Sequence, residues 1–322
     1  MAKKDVIAVV GATGAQGGGL ARAILKDPDS RFSVRAVVRK ANSPAANELK
    51  KMGAEVVMAD LDNPEAVKRA FQGAYGAFCV TFYWEHFSPD KEKAHVSSMA
   101  RAAHDAHLRH TIWSTLDDTR KLVPLADNRM PTLMGKYKVP HFDAKGESDQ
   151  QFRNLGVPTT FLQTSFYWDN FIHFGMGPKL GPDGTLALTM PLGNAKMPSI
   201  AAEDIGGCAY AIFKRGGEFI GRTVGIAGGH LSGAEMAEAF TKALGKHVRY
   251  NAVSPEEYRH MGFPGAEDLG NMFQYKRDFE REYRASRDVD FTRQLYPGLQ
   301  TFDAWLARNK GAIPVGQVAG AS

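Results

Sequence analysis

The sequence predicts an α/β protein: a doubly wound parallel sheet followed by a smaller α/β domain from the C-terminal part of the chain. Three observations predict it. A run of apolar, largely β-branched residues, Asp5 to Val10, leads straight into a turn with glycines at Gly11, Gly14 and Gly17, and then into a helical stretch, Gly18 to Lys26. Strand and helix patterns then alternate five times up to Ser114, the pattern of a parallel sheet with helices on both faces. From Phe166 the alternation weakens, and aromatics and glycines cluster through Leu192. A glycine turn between the first strand and the first helix makes the sheet Rossmann-type.

The turn is suited to a nucleotide pyrophosphate. Gly11 allows the sharp bend, Gly14 lets backbone approach the phosphates, and Gly17 lets the helix pack close to the sheet. Thr13, Ala15 and Gln16 lie between them, and the helix start offers unpaired N–H groups to the anion. A turn that binds nothing is disfavoured, because three glycines weaken a helix start unless something must come close to them.

Composition narrows the partners. The 322 residues carry 40 Lys+Arg against 35 Asp+Glu, a net charge of +5, and the charges are dispersed. No basic block reads as a nucleic-acid or anionic-lipid stripe, while the mild excess suits a phosphorylated small molecule. No apolar run approaches the roughly 20 residues of a membrane span, and the short apolar run after Lys3 and Lys4 is a strand rather than a signal peptide. Cys79 and Cys208 are far apart, as expected of buried reduced thiols. The expectation is a cytoplasmic protein with no membrane partner.

Taken in order, Arg31 to Val38 reads as the second strand, and Arg39 and Lys40 follow at once. The residue after this strand faces the adenosine ribose, where a cation selects the 2′-phosphate, so the expected cofactor is NADP(H). A helix over 43–52 precedes a third strand, Glu55 to Met58, after which Asp60 and Leu61 fall where the adenine would lie. Asp62 is expected to cap the helix Pro64 to Phe71. The fourth strand, Ala74 to Thr81, ends at an aromatic loop, Phe82 to Phe87. Thr81 and Phe82 are therefore cofactor candidates, and the loop walls a cofactor or substrate or packs on a partner. Pro89 to His107 is a long helix, and His104, His107 and His110 lack the Cys or carboxylate that would complete a metal set. The fifth strand, His110 to Ser114, places Ser114 and Thr115 at the reactive edge, and the polar segment 117–138 reads as a surface loop.

A helix from Pro140 to about Leu155 carries His141 and Lys145 on one face. Val157 to Gln163 is the sixth strand, and Gln163 and Phe166 lie at the same carboxyl edge as further cofactor candidates. Beyond it come a hairpin around 182–184, a return toward the main sheet over 196–205, a helix to Phe213 and a strand over 223–227. Next are a helix opened by a Ser232/Glu235 capping box, a strand over 248–253, and helices from Ser254, over Met272 to Tyr283 and over Phe302 to Asn309. The dinucleotide domain is expected over 1–165, returning near 198–228. The smaller domain is expected over 166–197 and 229–322, with 311–322 a frayed tail.

The chain resembles the NmrA-like family of atypical short-chain dehydrogenase/reductases. The resemblance rests on VVGATGAQGG at 9–18, Arg39, VPHFDAKGE at 139–147, AEDIG at 202–206, GFPGAEDLGNMF at 262–273 and FDAWL at 302–306. The turn's G-x-x-G-x-x-G spacing is that of extended and atypical members. The resemblance implies NADP(H) in the cleft of a Rossmann domain; some members act as redox sensors with a regulatory partner, and others reduce substrates.

Short-chain dehydrogenases use Tyr-x-x-x-Lys with an upstream Ser. Here the spacing survives with His141 in place of the Tyr; Lys145 can still hold the ribose, and Ser114 or Thr115 matches the Ser region. An ammonium at Lys145 would make His141 a poorer proton donor, and the competing reading of His141 is a helix-start residue bonded to the loop. The lost Tyr favours an NADP(H)-binding redox regulator, with a protein partner or homodimer and little hydride transfer. The alternative is an NADPH-dependent reductase of an apolar carbonyl, quinone or enone, using Lys145, His141 and Ser114.

Overall fold

The computed structural model describes residues 3–181 and 183–315. The N-terminal half runs β1 (Asp5–Val10), α1 (Ala15–Lys26), β2 (Phe32–Val38), α2 (Pro44–Lys51), β3 (Glu55–Met58), α3 (Pro64–Phe71) and β4 (Gly76–Cys79). It continues through α4 (Pro89–Asp105), β5 (His110–Thr115), α5 (Pro140–Asn154) and β6 (Thr159–Gln163). The chain then forms β7 (Phe166–Tyr167), α6 (Asn170–His173), β8 (Lys179–Leu180), β9 (Leu186–Met190), β10 (Met197–Ile200), α7 (Ala202–Arg215), β11 (Thr223–Gly225) and β12 (Gly229–Leu231). Last come α8 (Gly233–Leu244), β13 (Val248–Ala252), α9 (Pro255–Arg259), α10 (Ala266–Asp278), α11 (Glu280–Ala285), α12 (Val289–Leu295) and α13 (Phe302–Asn309).

Seven parallel strands form the main sheet in the order β11-β6-β5-β4-β1-β2-β3. The order reverses at β1, which lies between β2 and β4, so a crevice opens at the carboxyl ends of these strands. The alternation of β1 is the reason both faces are covered. Ile7 and Val9 enter one core with Leu20, Ile24, Ile205 and Ile212 from α1 and α7. Ala8 and Val10 enter the other with Val67, Phe71, Val96, Met99 and Phe152 from α3, α4 and α5.

Helices α1 and α7 cross without room for a side chain between them. A Cβ on Gly19 would stand 2.6 Å from the Glu203 carbonyl oxygen, and one on Gly206 would overlap the backbone of Gly19 and Leu20. This contact fixes the axis of the helix that begins at the glycine turn.

The C-terminal region adds two small sheets, β12-β10-β7 and β13-β9-β8, and a third core. That core joins Phe142 of α5 to Phe171, Phe240, Phe273, Phe302 and Trp305. The predicted hairpin is the antiparallel pair β8–β9, with Pro182 outside the described residues.

Four expectations need correction. Asn63, not Asp62, caps α3: its Oδ1 accepts from the Ala66 amide at 3.1 Å, while Asp62 pairs with Lys91 and His95. The segment 117–138 is not wholly a surface loop. Val123, Met130, Tyr137 and Lys138 are buried, and the Lys138 ammonium donates to the carbonyls of Asp127 and Met130 at 2.7 Å each. The single helix over 272–283 is two, α10 and α11, meeting at Phe279. The tail expected from Gly311 starts as a 3-10 turn, and Ile313 is buried in the C-terminal core; 316–322 lie outside the described residues.

Both cysteines are free and buried, and burial pushes their thiols above the ordinary range. Among the described residues no helix is long and apolar enough to cross a membrane. Among them also, no group of three or more His, Cys, Asp or Glu side chains is arranged to hold a metal ion.

Candidate dinucleotide and substrate site

The glycine turn sits in the crevice above β1. Gly11 has a φ of +62°, a conformation that disfavours any side chain, and the Gly14 amide donates to its carbonyl at 2.8 Å. A Cβ on Gly17 would stand 2.5 Å from that same oxygen, so Gly17 is required by the turn itself. Helix α1 then begins with no side-chain cap and no acid in its first turn. Its first N–H groups are left for an outside acceptor, and Thr13, Gly14 and Ala15 are exposed beside them. These features fit a dinucleotide pyrophosphate.

Gln16 ties the turn to the neighbouring strands. Its Nε2 donates to the Tyr167 hydroxyl at 2.6 Å, and its Oε1 accepts from the Ser114 hydroxyl at 2.7 Å. Ser114 is thus committed to the turn, whereas Thr115 donates to Asp149 at 2.6 Å. Tyr167, which sequence reasoning did not single out for this role, also meets Thr164 at 3.2 Å.

Lys145 and His141 leave α5 side by side and meet different acids. The Lys145 ammonium lies 2.7 Å from Glu92 Oε1, donates to the Thr81 hydroxyl, and sits 5.0 Å from the centre of the Trp113 ring. Glu92 is fully buried. Burial alone would raise its carboxyl, but the Lys145 charge, the hydrogen bonds from Lys145 and Thr81, and His86 Nε2 at 3.4 Å outweigh that and hold it at about 2.

His141 occupies the first turn of α5. Its Nδ1 is 2.6 Å from Asp268 Oδ1, and its backbone amide donates to Asp268 Oδ2 at 3.2 Å. Both side chains are buried. The imidazole is walled by Trp84 at 4.6 Å, Phe142 at 4.8 Å and Tyr83 at 5.9 Å between ring centres. The charge that meets His141 is therefore a carboxylate, not the Lys145 ammonium, and its partner belongs to α10 rather than to a neighbouring loop.

The remaining candidates are spread along the crevice. Arg39 is exposed at its rim and hydrogen-bonds Glu85 through Nη1; Lys40 is exposed beside it. Asp60 Oδ1 accepts from the Asp62 amide at 2.9 Å, so this carboxylate shapes its own turn, and Leu61 packs partly buried against the sheet. Phe82 is 52% exposed and meets Phe174 edge-on. Gln163 ends β6, and its carbonyl accepts from the Ile226 amide at 3.0 Å. Phe166 is not in this group: it is buried against Phe171 and Phe273 in the C-terminal core.

Sequence reasoning missed Glu92, Asp268 and the pairing of Glu85. Asp268 does lie inside the 262–273 segment that carried the family resemblance, but nothing local marks it as the partner of His141.

A parallel sheet of this order, with a glycine turn and an uncapped helix start in its central crevice, defines a Rossmann-type protein that binds nicotinamide dinucleotides. The chain belongs to the NmrA-like family, whose sequence profile matches residues 3–306. An NmrA-like family domain-containing oxidoreductase of Cladobotryum sp, FrzB, is 31% identical over 293 residues, covering 84% of this chain and 83% of that protein. The crystal structure of NmrA, a negative transcriptional regulator, in complex with NADP is 26% identical with a TM-score of 0.76, covering 95% of each chain. NmrA in complex with NAD matches at 25% identity, a TM-score of 0.76 and 95% of each chain.

Proposed function

We propose that this protein is an NADPH-dependent reductase of an apolar carbonyl, quinone or enone, with His141 as the proton donor. The observation that carries the reading is the buried His141–Asp268 pair at the helix position where a short-chain dehydrogenase has its Tyr. A carboxylate on Nδ1 fixes the tautomer and orientation of the ring. The opposite nitrogen then gives its proton to the substrate oxygen. The bound dinucleotide supplies the hydride. Lys145 contacts the ribose, and Glu92 offsets its buried charge. Trp84, Tyr83 and Phe142 give the substrate an apolar wall.

Relative to the sequence alone, Asp268 reverses the order of the two readings, because it supplies what the missing Tyr took away. A binding-only redox regulator is the second reading, favoured by the likeness to a negative transcriptional regulator in complex with NADP. NADPH oxidation across a panel of quinones, enones and carbonyls separates them. Turnover that His141→Gln lowers at least about 100-fold, the lower range for a general acid, is the expected result. Tight NADPH binding without turnover on any compound would return the protein to the regulator reading.

A further inference from the structure

Arg39 is not free. Its guanidinium hydrogen-bonds the Glu85 carboxylate, the one side-chain hydrogen bond it makes among the described residues. The two residues come from opposite sides of the crevice: Arg39 follows β2, Glu85 ends the 3-10 turn Tyr83–Glu85 after β4, and β1 with its glycine turn lies between. The pair therefore bridges the mouth of the crevice on the side where the adenosine ribose is expected. Their side chains are 62% and 51% exposed, so the pair lies in water and is readily exchanged.

We propose that Glu85 is a specificity-determining residue, which competes with the 2′-phosphate of NADP(H) for Arg39 and so narrows the preference for the phosphorylated over the unphosphorylated dinucleotide. The chemistry acts in two directions. A 2′-phosphate offers Arg39 a stronger, bidentate acceptor, but it must first displace Glu85 and then bind beside that negative charge. A ribose 2′-hydroxyl is neutral. It leaves the ion pair intact and can donate to Glu85, as it does to the acid that marks NAD-binding sites. One pair of residues thus presents a reader for each cofactor, with the phosphate reader partly blocked.

The proposal rests on Arg39 meeting the 2′-phosphate, and the test separates the two claims. Dissociation constants for NADP⁺, NAD⁺ and 2′,5′-ADP are measured by calorimetry on the wild type, Glu85→Gln, Arg39→Ala and the double variant. Glu85→Gln is expected to tighten NADP⁺ and 2′,5′-ADP about two- to fivefold, the range of an exposed ion pair, and to leave NAD⁺ unchanged or weaker. The gain should vanish when Arg39 is absent. If Arg39→Ala weakens NADP⁺ selectively while Glu85→Gln changes neither cofactor, or both equally, the competition is overturned and the Arg39 reading stands. If Arg39→Ala weakens NADP⁺ and NAD⁺ alike, both fall.

Discussion

At the scale of single residues, the site is built on buried charges whose titration is measurable. Glu92 is held at about 2 against an ordinary 4.5. A carboxyl depressed in the folded state contributes stability above its unfolded value, and that contribution is lost as pH falls from about 4.5 through about 2. Glu92→Gln should flatten this acid limb in urea titrations. It should also cost about 3–5 kcal/mol at neutral pH, because the buried Lys145 keeps no counter-charge. Lys276 is the opposite case. It is buried among Phe142, Phe166, Phe273 and Tyr283, and among the described residues only the Met272 sulfur, at 3.3 Å, receives a hydrogen bond from it. Burial first, and the Arg287 charge second, push its ammonium down to about 7. The unfolded chain binds the extra proton between about 7 and 10.5, so stability should rise with pH across that window. Lys276→Met should remove the rise and raise stability at pH 7 and below.

At the scale of elements, legibility follows the range of the interaction that makes each one. The bounds of β1, β3, α3 and α13 are readable because alternation, a Pro at the helix start or a compact periodic run decides them locally. The Ser232/Glu235 capping box is readable for the same reason, and both of its bonds form, at 3.2 and 2.8 Å. The start of α10 was not readable. Its residues from Leu269 to Lys276 are all buried, polar Asn271, Gln274 and Lys276 included, so the polar and apolar positions do not sort into an exposed and a buried face. The crossing of α1 and α7 was equally hidden, although Gly19 and Gly206 stand in plain view in the sequence, because only the fold brings them together. Gly206→Ala should destabilise the protein by about 1–3 kcal/mol, the cost of overpacking. It should also weaken NADPH binding, since α1 carries the anion-binding end; thermal melts with and without NADPH measure both effects.

At the scale of the whole molecule, the crevice and the C-terminal region contribute different halves of the candidate site. The glycine turn and the His141/Lys145 spacing lie within short segments and were legible as such. Glu92 and Asp268 were not. Asp268 lies 127 residues from His141 in sequence, and it arrives only because α10 packs on α5 through the aromatic core. Reading the first half alone leaves His141 without a partner; the complete fold pairs it with Asp268. The most direct test of the proposed role of that pair is kcat for NADPH-dependent turnover, measured together with the NADPH dissociation constant in the wild type and in Asp268→Asn. The expected result is unchanged NADPH affinity with a loss of about 10²–10⁴-fold in kcat. Full activity in Asp268→Asn would contradict the assignment of His141 and Asp268 as the proton source.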